Sequence, residues 1–359
     1  MVPDGDGYYL VGGTKQGQKA DCAFLVARYD NAGRLDSAFA KGGVKTLTVG
    51  NASYATGATV APDGDLLVSG WSVGRKAEAS VVALHPNGAL DRSFGRNGVV
   101  RIPTSGVVRT PQVEAEPDGS VWLAWSVISN SDTYRGNYQV GHLRPNGGRD
   151  STFGNRGVRT FNINDVDAIS ETAVDAVGRL FVTGWSSPSL KQSGAAAVVS
   201  VDDGKRTYQR TINPWGNRGT YVISSDVDPD GSLVVGMTPY SSPGWGAMRL
   251  KGDLRLDRSY GRDGVAKHDC RCFSSTGTFT PDGLVLIGGN LARDNRTVLA
   301  HFTENGRWDA KAARFGPWQA IDGWELWESA AVDGSGRLLI AGSGQNRTRD
   351  ALIARLRLS

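Results

Sequence analysis

The sequence predicts an all-β fold, a seven-bladed β-propeller of four-stranded antiparallel blades. The first observation behind this is a turn glycine that returns at Gly5, Gly64, Gly119, Gly178, Gly231, Gly283 and Gly336, spaced 59, 55, 59, 53, 52 and 53 residues apart. Fixed periods of this size mark propellers and arrays. The second is a longer segment, Leu90-Asp91-x-Ser93-Phe94-Gly95-x-x-Gly98-Val99. It returns as Leu35 to Val44, Arg149 to Val158, Pro214 to Val222 and within Leu254 to Val265, and in degraded form as Trp308 to Trp318. The third is composition: 48 glycines and 39% apolar residues suit short strands and tight turns.

Each copy reads as four short strands, a to d. Strand a carries small residues (Ala55 to Val60, Ser170 to Val174, Ser275 to Thr280), as expected where blades crowd an axis. A Pro-Asp-Gly or related turn supplies the preset and positive φ of a tight reversal. Strand b follows (Leu66 to Ser69, Leu180 to Thr183, Leu233 to Val235, Leu338 to Ala341), then strand c (Leu25 to Tyr29, Val198 to Val201, Val298 to Phe302). Strand d comes after the glycine-rich segment. The copies cover approximately 1–52, 53–108, 109–166, 167–219, 220–270, 271–323 and 324–359, read as a single domain because stacked repeats bury one continuous core.

The compound motif, PDGxxLVxG followed by ALxxxxNGxLDxSFGxxGVV, resembles the delta-60 repeat family along nearly the whole chain. It departs from the pattern in the fourth copy (Asp202-Asp203-Gly204, no Leu-Asp) and in the sixth. The resemblance implies a bacterial, exported or surface-associated propeller and no common activity; fold alone leaves function open. It also bears on the ends. The first copy lacks a strand ahead of its turn and the last lacks its final strand, so the chain is expected to be a trimmed precursor whose leader and missing strands lie upstream of Met1.

The 40 basic and 36 acidic residues are scattered, without a block of like charge, which argues against a nucleic-acid partner. No apolar run is long enough for a transmembrane helix. Cys22, Cys270 and Cys272 do not make a disulfide scaffold and leave the compartment undecided. No nucleophile elbow, phosphate loop or His-Glu-x-x-His motif is present, and no cofactor is implied.

A repeat supplies its own control, since a residue type found at one place in most copies is structural. Phe39, Phe94, Phe153, Trp215, Tyr260 and Phe315 share a slot and are expected in the core. Asp36, Asp91, Asp150, Asp257 and Asp309 share another, and Arg28, His142, Arg249, His301 and Arg355 a third in strand c, where they are expected to pair with blade carboxylates. That removes His142 and His301 from catalysis; His85 falls in the c to d turn.

What remains is Trp71, Trp125 and Trp185 at the end of strand b, Trp245 in a b to c loop, and Trp324 and Trp327 before the seventh copy. In a four-stranded meander the b to c and d to a connections emerge together, so tryptophans and polar inserts share one face. Aromatic rings with Arg, Asn and Asp suit a glycan, the rings stacking on sugar and the polar groups bonding hydroxyls. The expected function is a secreted or envelope binding module for glycan or protein through that face. The alternatives are a polysaccharide lyase or glycoside hydrolase using Asp322, Glu325 and Glu328, since such chemistry needs two carboxylates astride the sugar bond, or a purely structural scaffold.

Three further sets carry less. His268, Cys270 and Cys272 offer metal-ligand atoms without a second ligand pair. Asn162 to Asp167 offers oxygens for calcium but lacks the glycine and distal glutamate of a helix-flanked calcium loop. The sequons at Asn51, Asn295 and Asn346 are read as chance matches.

Overall fold

The computed structural model describes residues 1–5, 7–16, 21–129, 135–189, 192–202, 206–269, 272–280, 282–290, 297–309, 325–344 and 351–357. Among them the regular structure is β, apart from one 3-10 turn at Gly216–Arg218. Among the described residues no helix is long and apolar enough to cross a membrane. The strands run as successive antiparallel meanders. The first four are β1 (Val2–Asp4), β2 (Gly7–Gln16), β3 (Asp21–Asp30) and β4 (Val44–Leu47); β5 (Ala52–Val60), β6 (Leu66–Val73), β7 (Ala77–Leu84) and β8 (Val99–Pro103); β9 (Val107–Ala115), β10 (Val121–Ile128), β11 (Gly136–Leu143) and β12 (Val158–Phe161); and β13 (Val166–Val174), β14 (Leu180–Ser187), β15 (Ala195–Asp202) and β16 (Arg206–Ile212). The fifth is β17 (Tyr221–Val227), β18 (Leu233–Thr238), β19 (Trp245–Leu250) and β20 (Val265–His268). Two groups of three described strands follow: β21 (Cys272–Thr280), β22 (Gly283–Asn290) and β23 (Thr297–Thr303), then β24 (Glu325–Val332), β25 (Arg337–Gly344) and β26 (Ala351–Arg357). The expectation that no strand precedes the first turn is corrected, because Val2–Asp4 pairs with Gly7–Tyr9.

The chain divides into two compact units. One is Met1–Val182 with Ser186–Leu190 and Val201–Thr207; the other is Thr183–Trp185 with Lys191–Ser200 and Tyr208–Ser359. Within each, the core lies between neighbouring meanders. In the first unit Tyr9, Phe24 and Phe39 pack against Leu66, Val68 and Leu84 of the next meander. In the second, Val234, Ala247 and Tyr260 pack against Leu284, Leu286 and Phe302. Each large apolar side chain buried in this way contributes about 1.5–3 kcal/mol of transfer free energy, so the meanders hold one another rather than standing alone.

The motifs have local causes. Gly64, Gly119, Gly178, Gly231 and Gly336 have φ between 74° and 90°, and the N–H of each closes the a to b turn onto the carbonyl three residues back. Gly95 (φ 56°) donates its N–H to the carbonyl of Asn146 in the next meander's c to d turn at 2.8 Å. Ala40 to Asn87 and Gly261 to Asn305 repeat the contact at 2.9 Å. The glycine-rich segment is therefore a clasp between meanders. Phe39, Phe94, Phe153 and Tyr260 are buried as expected, whereas Trp215 is half-buried and Phe315 lies outside the described residues. Strands β5, β9, β17, β21 and β24 each shift register against their neighbour by a bulge. In the first unit the bulged Thr56 and Thr110 hydroxyls donate to the carbonyls of Pro111 and Ile169 in the next innermost strand.

Candidate functional site

The acidic and basic slots of the repeat form ion pairs, as the sequence predicts. Arg28 binds Asp4 and Asp36, His142 binds Glu116 (2.7 Å) and Asp150 (3.0 Å), Arg249 binds Asp228, Asp230 and Asp257, and Arg355 binds Asp333. His301 stands 3.6 Å from Asp309. The second meander achieves the same by a double exchange. It has Ala83 in the basic slot and Ala61 at the turn, and His85 instead reaches Asp65 (2.9 Å) and Asp91 (4.0 Å). Among the described residues, Asp65, His85 and Asp91 are the set whose oxygens and nitrogen lie close enough to hold a metal, within 4.8 Å of one another. Their place in the repeat assigns them to the structural ion pair. The hydrogen bond to Asp65, which raises the His85 pKa, acts as the arginines do elsewhere.

The tryptophans separate by register. The strands extend beyond the predicted ends, so Trp71 and Trp185 lie inside β6 and β14, six residues into each, while Trp125 is the fifth residue of β10. Trp125 thus stands where Gly70 and Gly184 stand. A one-residue offset along a strand turns a side chain to the opposite face. Trp125 is fully buried against Gly141 and Ile102, and Trp245, the first residue of β19, is fully buried in the core of the second unit. Both are corrected from ligand contacts to core residues, because neither ring meets solvent. Trp324 lies outside the described residues, and Trp327 lies in β24 without a described side chain.

Around the two remaining tryptophans the structure adds tyrosines that sequence reasoning passed over. In the second unit Trp185 lies over Gly194, where a Cβ would overlap the indole, and faces Tyr221 with ring centroids 5.9 Å apart. Tyr221 meets Tyr240 edge-on at 5.0 Å. Tyr221 opens β17 after a d to a connection, and Tyr240 sits in the b to c loop between β18 and β19. They are 36% and 57% exposed. In the first unit Tyr54 stacks on Trp71 at 6.2 Å and 8°, and its ring covers Gly13. Tyr54 and Tyr221 occupy the same place, two residues before the bulge of their strands. The repeat-slot comparison could have found this pair.

A cleft of about 350 Å³ opens in the first unit between the b to c and d to a connections of β10–β13, lined by Ser105, Ser129, Arg135, Asn137, Asn162 and Asp165 among others. The neighbouring Asp167, expected to offer a calcium ligand, is buried and saturated. It accepts the N–H groups of Ile163 and Asn164 and the hydroxyl of Ser186 (2.6 Å), and its burial raises its pKa. Its carboxylate closes the loop. His268 lies flat on Trp308 at 3.6 Å, and burial lowers its pKa. Cys270 and Asp322 lie outside the described residues, and the side chains of Cys272 and Glu325 are not described. Glu328 is exposed at the bulge of β24.

No protein-family model matches the chain, and no characterised protein matches it in sequence. Among solved structures it is similar over 99% of its length to the polysaccharide lyase Uly1 (12% identity, 90% of that chain, TM-score 0.54). It is likewise similar over 99% of its length to the β-propeller domain of the Trilobed protease from Pyrococcus furiosus (10% identity, 93% of that chain, TM-score 0.53). At these identities the likeness is one of fold, and it supports a β-propeller.

Proposed function

We propose that the chain is a closed seven-bladed propeller of the delta-60 repeat type, exported to the cell envelope or beyond it, that binds a glycan on the face bearing the b to c and d to a loops. The observation that carries this reading is the row Trp185, Tyr221 and Tyr240, three contiguous rings at that end of their strands, two of them substantially exposed. Exposed contiguous aromatic surface is costly in water and marks an interaction site. Tyrosines add a hydroxyl beside each apolar ring, which matches the alternation of C–H faces and hydroxyls on a sugar. A sheet edge fixes Tyr221, so the rings stand preorganised and little side-chain entropy is lost on binding.

A glycan array probed with the wild-type chain and with Tyr221→Ala/Tyr240→Ala tests the proposal. Both positions are at the surface, so the variant is expected to melt within a few degrees of wild type. Binding that falls about 30- to 150-fold in the variant agrees with roughly 1–1.5 kcal/mol per ring. A blank array with wild type, or equal binding by both proteins, overturns the glycan reading and directs the search to a protein partner.

A further inference from the structure

In the second unit the clasp between the fifth meander and the next forms the floor of a cleft of about 610 Å³. Its lining carries Arg262, Lys267 and Arg307 together with Ser259 and Asn305, and no carboxylate. All three cations are exposed, and none has a carboxylate partner within ion-pair distance among the described residues. Lys267 is held in place by its Nζ on the carbonyl of Pro214 (2.5 Å) and by the Trp215 ring at 5.7 Å. Of the acids near it, Glu304 is engaged with the Asn305 amide and Asp257 with Ser259 and Arg249, while Asp263, next to Arg262 in the chain, does not line the cleft.

The other clasps show that the fold does not need this charge. The clasp between the second and third meanders has Arg96 and Arg101 at the places of Arg262 and Lys267, but Glu78 neutralises Arg101 at 3.1 Å and Gly148 replaces Arg307. The one between the first and second has Lys41, Thr46 and Ala89. Three unneutralised cations around one concavity repel one another, and an anion with several oxygens relieves that repulsion while taking the arginine forks bidentately. Independently of the aromatic row, we propose that this cleft binds an oxyanion, a sulfate or carboxylate, free or borne on a polymer.

Calorimetric titration with inorganic sulfate and with dextran sulfate, with uncharged dextran as control, tests this at low and moderate salt. Saturable binding that weakens with salt is expected. Arg262→Gln/Arg307→Gln should weaken it at least tenfold, whereas Arg92→Gln/Arg96→Gln, which removes the same charge from another meander, should leave it within twofold. Binding of free sulfate identifies a small-ion site, and binding of dextran sulfate alone identifies a chain-binding site; either upholds the proposal. No saturable binding of either, or equal weakening by the two double variants, overturns it. The Tyr221→Ala/Tyr240→Ala variant should bind sulfate normally, so a blank glycan array leaves this result untouched.

Discussion

His142 shows how one side chain can be chosen by the repeat and still set a solution property. It lies between Glu116 and Asp150 and under Trp122, whose ring centroid is 4.2 Å away. Burial works against its charged form, but the hydrogen bonds and negative charge of Glu116 and Asp150 outweigh burial and raise its pKa above the ordinary histidine value. A raised folded pKa gives stability that is fully present below the unfolded value near 6.5 and is lost as pH rises through the folded one. Arg28 and Arg249 fill the same slot with a charge that does not titrate in this range. His142→Arg should therefore flatten part of the fall in melting temperature between pH 6 and 9, the remainder belonging to His85. His142→Ala should cost about 2–3 kcal/mol at pH 6, because two carboxylates lose a buried partner. Circular-dichroism melts of both variants across that range are the check. A His142→Arg slope as steep as wild type would show that the imidazole is not charged in the folded protein.

The glycine-rich segment and its aromatic illustrate what an element contributes beyond its own residues. Phe94 is 3% exposed and seals the clasp that Gly95 makes with Asn146, so Phe94→Ala should cost about 3–5 kcal/mol in chemical denaturation. Trp215 holds the same place in the fourth copy, but there the segment lacks its Leu-Asp start and turns through Gly216–Arg218, leaving the ring half-buried over Gly246 and Lys267. Trp215→Ala should cost only about 1–2 kcal/mol, and equal losses for the two variants would contradict the assignment of the clasp. Most of this was legible in the sequence. The turn glycines, the aromatic slot and the ion-pair slot recur in fixed order, and recurrence is the signature of positions that every copy must satisfy. Strand ends were not legible, because Gly70-Trp71 and Gly184-Trp185 read as terminators while backbone pairing carries β6 and β14 two residues further. That small extension is what hid the register of Trp125.

The candidate site was less legible than the fold, because a binding face is assembled from residues far apart in the chain that share no spacing. Trp185, Tyr221 and Tyr240 come from two meanders, and only the pairing of strands shows that they touch. The charges of the molecule are organised differently, since the acidic slots repeat, and the carboxyls among them that are lowered set an acid limit for the whole. Hydrogen bonds from the Thr152 hydroxyl and N–H hold the Asp150 carboxyl at about 2. Asp333 is also held at about 2, against the cost of burial, by the Arg337 N–H and the Arg355 side chain. Asp91, Asp230 and Asp257 are lowered as well. A depressed folded pKa gives stability present above the unfolded value near 3.9 and lost as pH falls toward the folded one. Asp167, Asp226 and Asp228 are raised by desolvation and act in the opposite direction, but they are fewer than the lowered aspartates. Melting temperature should therefore pass through a maximum near pH 5–6, fall below about pH 4 as the aspartates take up protons, and fall above about pH 7 as His142 releases one. Asp333→Asn should remove part of the acid limb while leaving the basic limb unchanged, since its partners Arg337 and Arg355 do not titrate there. Melts from pH 2 to 9 decide it: a melting temperature that holds level down to pH 2.5 would mean that the repeated ion pairs contribute nothing to the folded state.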